Sequence, residues 1–340
     1  MKKRMVALVA FFVAVTFFGQ IADALVDDAK AKLKALKPSD YPTKVIEFVG
    51  VYAPGGTLDL CARLVAKYVE KYTDSRCIVV NKTGGGGLIG HTYLATQAKN
   101  DGYTVGVLST SFLSDEITKA QGKWSYKNLE PLNFLNFDNV TWIVRTEGPL
   151  KDKSAKDVLA MAKENPETLK IGIVPGMSFQ FLLEDAEMTS GAKFIAVPFQ
   201  GAAPGLVALL GGHLDLATSF YGEYKSYLEA NKIKVIAAAG SERSSYLPGV
   251  PTLNEVLGVK HILWSTWKYT AVPKGVAPDR FKYLEAAIDA AIHDPDFINE
   301  FDKIGMKAGP YMSSAETADA LKRMYDSYLN FFTKTGRVSK

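Results

Sequence analysis

The run V-G-V-Y-A-P-G-G-T-L-D at Val49 to Asp59, and the run C-I-V-V-N-K-T-G-G-G-G-L-I-G at Cys77 to Gly90, decide how this chain is read. Each begins like a strand, empties into glycines and continues into a helix-like segment. A third run, Asp101-Gly102-Tyr103-Thr104 into V-G-V-L-S-T-S, closes the unit at Ser111. Strand, glycine turn and helix in one repeated order predict a parallel sheet. Its strand ends present backbone N–H groups at helix starts, where an anion is held without a cationic side chain. A small acidic ligand is the first expectation.

Within that unit the pattern predicts strands at 45–52, 76–81 and 103–108, and helices at 57–72, 87–98 and 113–120. The run Val140 to Arg145 reads as a strand leaving it. A second unit follows. Ser154 can cap a helix reaching Glu164, and strands at 169–174, 194–199, 214–218 and 233–238 alternate with helices at about 179–190 and 204–211. From Trp267 to Pro273 the chain crosses back, and helices at 278–293, 295–304 and 313–333 complete it. Asp294-Pro295 makes an N-cap and N1 pair, and Ser313-x-x-Glu316 makes a capping box. The division is therefore a leader at 25–44, lobe one at 45–145, lobe two at 146–266, and a return segment at 267–340 whose helices pack on lobe one. Two crossings between two α/β lobes predict a hinged cleft with ligand at the strand ends of both.

The N-terminus sets the compartment. Lys2, Lys3 and Arg4 precede an apolar run from Met5 to Phe18, and Ala22-Asp23-Ala24 supplies the small-residue cleavage pattern of a secretory signal peptide. The run is short for a bilayer span, which needs roughly 20 apolar residues. Cleavage after Ala24 would release a soluble periplasmic protein. It would lower the formal charge from +4 to +2, with 37 basic against 35 acidic side chains interspersed. No nucleic-acid footprint is present. Cys61 and Cys77 fall at opposite ends of one strand–helix unit, separated by a helix roughly 22 Å long at about 1.5 Å per residue. Bridged cysteines need Cα atoms within about 7 Å, so two buried thiols are expected.

Taken together these motifs resemble the periplasmic solute receptors of tripartite tricarboxylate transporters, the Bug-type receptors. The residues that carry the resemblance are A-P-G-G-x-x-D at Ala53 to Asp59 with Arg63, the glycine run from Val80 to Gly90, and D-G-Y-T at Asp101. V-P-F-Q-G-A-A-P at Val197 to Pro204, L-L-G-G-H-L-D at Leu209 to Asp215, R-S-x-x-L-P-G-V-P-T at Arg243 to Thr252 and A-V-P-K-G-V at Ala271 continue it in order. The resemblance implies an α/β, two-lobed periplasmic-binding-protein fold of the type II-like kind. It implies closure on a small carboxylate in the cleft between the lobes, delivery to the large and small permease subunits, a monomer, and no cofactor or metal. The same fold can instead feed a membrane sensor kinase, and the residues do not separate those outputs.

Carried to this sequence, the resemblance places ligand contacts at Tyr52, Gly55, Gly56, Thr57 and Asp59 on the first loop. It adds Ser109, Thr110 and Ser111 on the third, and Gly176, Met177, Ser178, Gln200, Gly201 and Ala202 in lobe two. Asp59, an acceptor that would repel an acid, is better suited to holding the loop or a water. Departures from the family pattern at Thr57-Leu58, Pro175 to Phe179 and Thr218 to Phe220 bring Met177, Phe179, Phe220 and Tyr221 near the site. They suggest a ligand with one or two carboxylates and an apolar or aromatic body.

Rival chemistries find less support. Gly85 to Gly90 fits G-x-G-x-x-G, but the region about 20 residues on, Val107 to Phe112, has no acid for a ribose. Gly176-Met177-Ser178-Phe179-Gln180 lacks the last glycine of a nucleophile elbow. His91, His213, His261 and His293 are scattered without metal-ligand spacing. Trp264 and Trp267, at the return crossing, are expected to pack between the lobes.

Overall fold

A computed structural model describes residues 26–338 apart from Gln121 and Gln200. The segment read as a signal peptide lies outside the described residues. After a first helix, α1 at 26–36, the opening unit runs β1 (Ile46–Gly50), α2 (Thr57–Thr73), β2 (Cys77–Asn81), α3 (Leu88–Thr96) and β3 (Thr104–Ser109). Helix α2 forms because Leu58, Cys61, Ala62, Val65 and Val69 recur at three- and four-residue spacing, all buried. Each large aliphatic side chain buried this way contributes about 1.5–3 kcal/mol.

The next helix is broken. α4 (Ser111–Asp115) passes directly into one π-helical turn, Glu116–Ala120. Then comes β4 (Leu129–Asn139), an 11-residue strand that the sequence pattern did not predict. Val140 alone separates it from β5 (Thr141–Arg145). β5 pairs with strands of the second sheet, so 141–145 belongs there rather than with lobe one.

With β5, the second lobe holds α5 (Ala155–Glu164), β6 (Lys170–Ile173), α6 (Ser178–Ser190), β7 (Ile195–Pro198), α7 (Ala202–Leu210), β8 (Leu216–Ser219), α8 (Tyr221–Glu229), β9 (Ile233–Ala238) and α9 (Leu253–Leu257). The chain returns through β10 (Ser265–Pro273) and ends in α10 (Pro278–Ile292), α11 (Pro295–Lys303) and α12 (Ser314–Lys334).

Strand order is β2-β1-β3-β10-β4 in the first sheet and β7-β6-β8-β5-β9 in the second. β1 is parallel to β2 and β3, and β6 is parallel to β7 and β8. The returning β10 is antiparallel to both β3 and β4. In it Ser265 pairs with Asn139, one residue from the passage at Val140, so both chain crossings lie side by side. That pair of neighbouring crossings is where the expected hinge would lie.

The return helices divide their contacts. α10 and α11 pack on α2, where Asp294 both caps α11 and takes Lys71 Nζ at 2.6 Å. α12 packs on β4 and α4, but its far end also reaches the second lobe: Phe332 meets Phe181 at 4.8 Å between ring centres. Trp264 packs there as expected, edge-on to Phe331, with Nε1 donating to Asp185 Oδ2 at 2.9 Å. Both cysteines are free. Cys61 is buried, while Cys77, on the edge strand β2, is only half-buried.

Candidate functional site

At the end of β1 the chain turns through Tyr52 to Gly56, with Gly55 at φ 86°, a left-handed conformation that favours glycine. Asp59 secures this turn. Its Oδ2 accepts from the Gly55 N–H at 2.8 Å and from Arg63 Nε at 2.9 Å, and its Oδ1 accepts from Asn81 Nδ2 at 3.0 Å. Asn81 also donates to the Tyr52 carbonyl at 3.1 Å. Burial by itself would raise the Asp59 carboxyl, but the Arg63, Gly55 and Asn81 donors outweigh it and hold it below the usual carboxylate range. The carboxylate is 2% exposed and accepts from three donors, so Asp59 positions the loop.

Two serine hydroxyls of the third loop are also occupied. Tyr52 Oη donates to Ser111 Oγ at 2.6 Å, and Ser111 Oγ lies 2.7 Å from Ser109 Oγ. Burial pushes the Tyr52 hydroxyl up to about 12, so it stays a donor. Thr110 is buried, and its N–H donates to the Trp267 carbonyl at 3.1 Å. These residues tie the ends of β1 and β3 together. They do not present a row of free donors.

In lobe two, Gly176 has φ 73° and gives its N–H to Gln180 Oε1 at 2.7 Å. Met177 is the N-cap of α6, and Ser178 is its first residue. Ser178 Oγ lies 3.0 Å from Thr266 Oγ1 on β10, a bond between the second lobe and the returning strand. Gly201 is the N-cap of α7, followed by Ala202. Gln200 lies outside the described residues. Phe179 and Phe220 are buried against each other, 4.8 Å between centres, and Tyr221 stacks on Tyr246 at 4.4 Å. Three of the four apolar side chains expected at the site are thus occupied with other protein rings.

The helix starts differ in capping, and α4 and α10 lack a side-chain cap. α2, α3, α6 and α7 begin at the ends of β1, β2, β6 and β7, and no side chain caps any of them. Their N-caps are Gly56, Gly87, Met177 and Gly201. By contrast, Ser154, Thr252, Asp294 and Ser313 cap α5, α9, α11 and α12, as the sequence predicts for three of these four. The first N–H groups of a helix have no partner within it. At α3 the tight turn before the helix already takes the Leu88 and Ile89 N–H groups through the Gly85 and Gly84 carbonyls, but those at the starts of α2, α6 and α7, at strand ends of both sheets, form two sets of donors suited to an anion.

Several residues near the seam were not foreseen. Lys268 on β10 is 2% exposed and paired with Asp138 on β4, with its Nζ 5.9 Å from the centre of the Phe220 ring. Lys119 Nζ lies 2.7 Å from Asp115 Oδ1, and His91 Nδ1 lies 2.8 Å from Asp115 Oδ2. The D-x-x-x-K spacing from Asp115 to Lys119 was a legible signal for the first of these pairs. Among the described residues, no group of three or more His, Cys, Asp or Glu side chains is placed to hold a metal.

The chain is similar to known proteins over most of its length. The family model for tripartite tricarboxylate transporter family receptors matches residues 61–325. Protein BugT of Bordetella pertussis is 27% identical over 288 residues, 83% of this chain and 88% of that protein. A TctC solute binding protein from Polaromonas, solved without ligand, has TM-score 0.70 and 29% identity, covering 86% of this chain and 99% of its own. R. palustris Rpa4515, solved with adipate, has TM-score 0.76 and 22% identity, covering 87% and 99%. The fold is that of the two-lobed periplasmic binding proteins.

Proposed function

The chain belongs to the tripartite tricarboxylate transporter receptor family, and we propose that it binds a small carboxylate between its lobes and delivers it to the large and small permease subunits of such a transporter. The family is one of periplasmic substrate-binding receptors, not enzymes. On this reading residues 1–24 are removed on export. Among the described residues, no helix is long and apolar enough to cross a membrane.

The observation that carries the reading is the set of uncapped helix starts. The N–H groups at the start of α2, with the Thr57 hydroxyl, serve from lobe one. Those at the start of α6, with the Ser178 hydroxyl, serve from lobe two. A carboxylate that bridges the two sets stabilises the closed form through contacts it makes only there. Rpa4515, solved with adipate, supports this class of ligand.

The test is a thermal-shift screen of the mature protein after unfolding and refolding to strip carried-over ligand. The panel holds C4–C6 dicarboxylates, citrate, aromatic acids, acidic amino acids and the matching amides. Binding to the native state alone adds roughly 2.7 kcal/mol at a hundred times the dissociation constant. A rise in melting temperature with one acid class, absent for its amide, is expected. No rise with any acid, or an equal rise with the amide, would contradict the carboxylate reading.

A further inference from the structure

Lys119 stands where the two lobes meet. A β-carbon built on Gly176, in the loop after β6, would lie 3.3 Å from its Nζ. One built on Gly86, in the loop after β2, would lie 3.8 Å from the same atom. The ammonium therefore sits between a lobe-one loop and a lobe-two loop, at the strand ends that face each other. Both glycines leave room for it, and both have positive φ.

Its support comes from the core. Asp115, 1% exposed, offers one oxygen to Lys119 Nζ at 2.7 Å and the other to His91 Nδ1 at 2.8 Å. His91 is fully buried, with Tyr52, Phe112 and Trp124 edge-on around it. The imidazole fixes the carboxylate, and the carboxylate fixes the ammonium. An ammonium carries three N–H donors. Asp115 takes one, and the side chain remains 31% exposed, so donors are left for a group entering the seam.

We propose that Lys119 is the contact for a second carboxylate, so that the receptor selects dicarboxylates over monocarboxylates. This rests on the carboxylate reading above and makes it more specific. One carboxylate occupies the uncapped starts of α2 and α6, and the other takes the free donors of Lys119. Because Asp115 balances the lysine charge, the preference comes from short-range, charge-assisted hydrogen bonds formed on closure.

The experiment measures dissociation constants of succinate, glutarate, adipate and the monoamide of each, for the wild-type protein and for Lys119→Met and Lys119→Arg. The wild type is expected to bind one diacid about tenfold or more tightly than its monoamide, the scale of one hydrogen bond to a charged group. Lys119→Met should bring that diacid to the affinity of the monoamide, and Lys119→Arg should keep most of the preference. Equal wild-type affinity for diacid and monoamide, or an unchanged preference in Lys119→Met, would overturn the role of Lys119 and leave a carboxylate receptor standing. Failure of every acid and monoamide to bind would overturn both.

Discussion

Gly222 at the start of α8 and Gly305 after α11 touch through bare backbone, lobe two against the return segment packed on lobe one. A β-carbon on Gly305 would lie 2.4 Å from the Cα of Gly222, and one on Gly222 would lie 2.6 Å from the Ile304 carbonyl oxygen. Nearby, Tyr246 Oη donates to Asp302 Oδ1 at 2.8 Å across the same seam. The approach of lobe two to the return segment, beside the two chain crossings, is set by two residues without side chains.

Gly222→Ala should therefore oppose closure without unfolding either lobe. The added methyl meets backbone, which cannot swing aside as a flexible side chain would. Ligand affinity is expected to fall about tenfold, equivalent to about 1.4 kcal/mol. The melting temperature without ligand should fall as well, since the methyl also breaks a backbone contact made in this structure. Titration calorimetry beside a melting curve checks both, and unchanged affinity would show that this contact does not limit closure.

Asp59→Asn should loosen the first loop. An amide cannot accept at both former oxygen positions, so the Gly55, Arg63 and Asn81 donors no longer all find an acceptor. A cost of about 1–3 kcal/mol is expected at neutral pH. Its pH dependence has a definite sign. The folded carboxyl lies below its usual range, so its contribution is present above an unfolded value of about 3.9 and is lost as pH falls through the folded value. Denaturant melts of both proteins should show a constant gap from pH 7 to about 5 that narrows below about 4.

Glu223 behaves in the opposite sense. Its Oε2 accepts from Ser219 Oγ at 2.7 Å and from the Phe220 N–H at 3.1 Å. Burial still raises its carboxyl, because those bonds do not outweigh desolvation. A raised folded value means that stability is lost as pH rises from the unfolded value of about 4.3 through the folded one. Glu223→Gln keeps an acceptor for both donors and removes the buried charge. It should be more stable than wild type at pH 7.5 by on the order of 1 kcal/mol, and equal to it near pH 4. A loss of stability at pH 7.5 would show that the charge itself is needed.

Much of this architecture was readable from local pattern. The glycine turns after β1 and β2, the caps Ser154, Asp294 and Ser313, and the return at β10 all follow from short-range rules that hold whatever packs around them. Strand β4 was not readable, because L-E-P-L-N-F-L-N-F-D-N mixes a proline and three asparagines into its apolar run. Long-range pairing with β10 makes it a strand. α8 was missed for a similar reason: Gly222 sits one residue inside its start, where the seam requires it. At the site, sequence could nominate Ser109 and Ser111 as hydroxyls. It could not show that Tyr52 and the two serines bond to one another, or that His91 reaches Asp115 across 24 positions. Such pairings are made by tertiary structure alone.

The most direct test of the central claim is titration calorimetry of the stripped, refolded protein with the acid that stabilises it most, beside Thr57→Val and Ser178→Val. Each substitution removes one hydroxyl from one side of the cleft and leaves the lobe cores untouched. The expected result is saturable one-to-one binding by wild type and a loss of about tenfold or more in each variant, the scale of a hydrogen bond to a charged group, with both variants folded and Ser178→Val melting slightly lower for want of its bond to Thr266. Unchanged affinity in both well-folded variants would place the ligand elsewhere and contradict the interlobe carboxylate site.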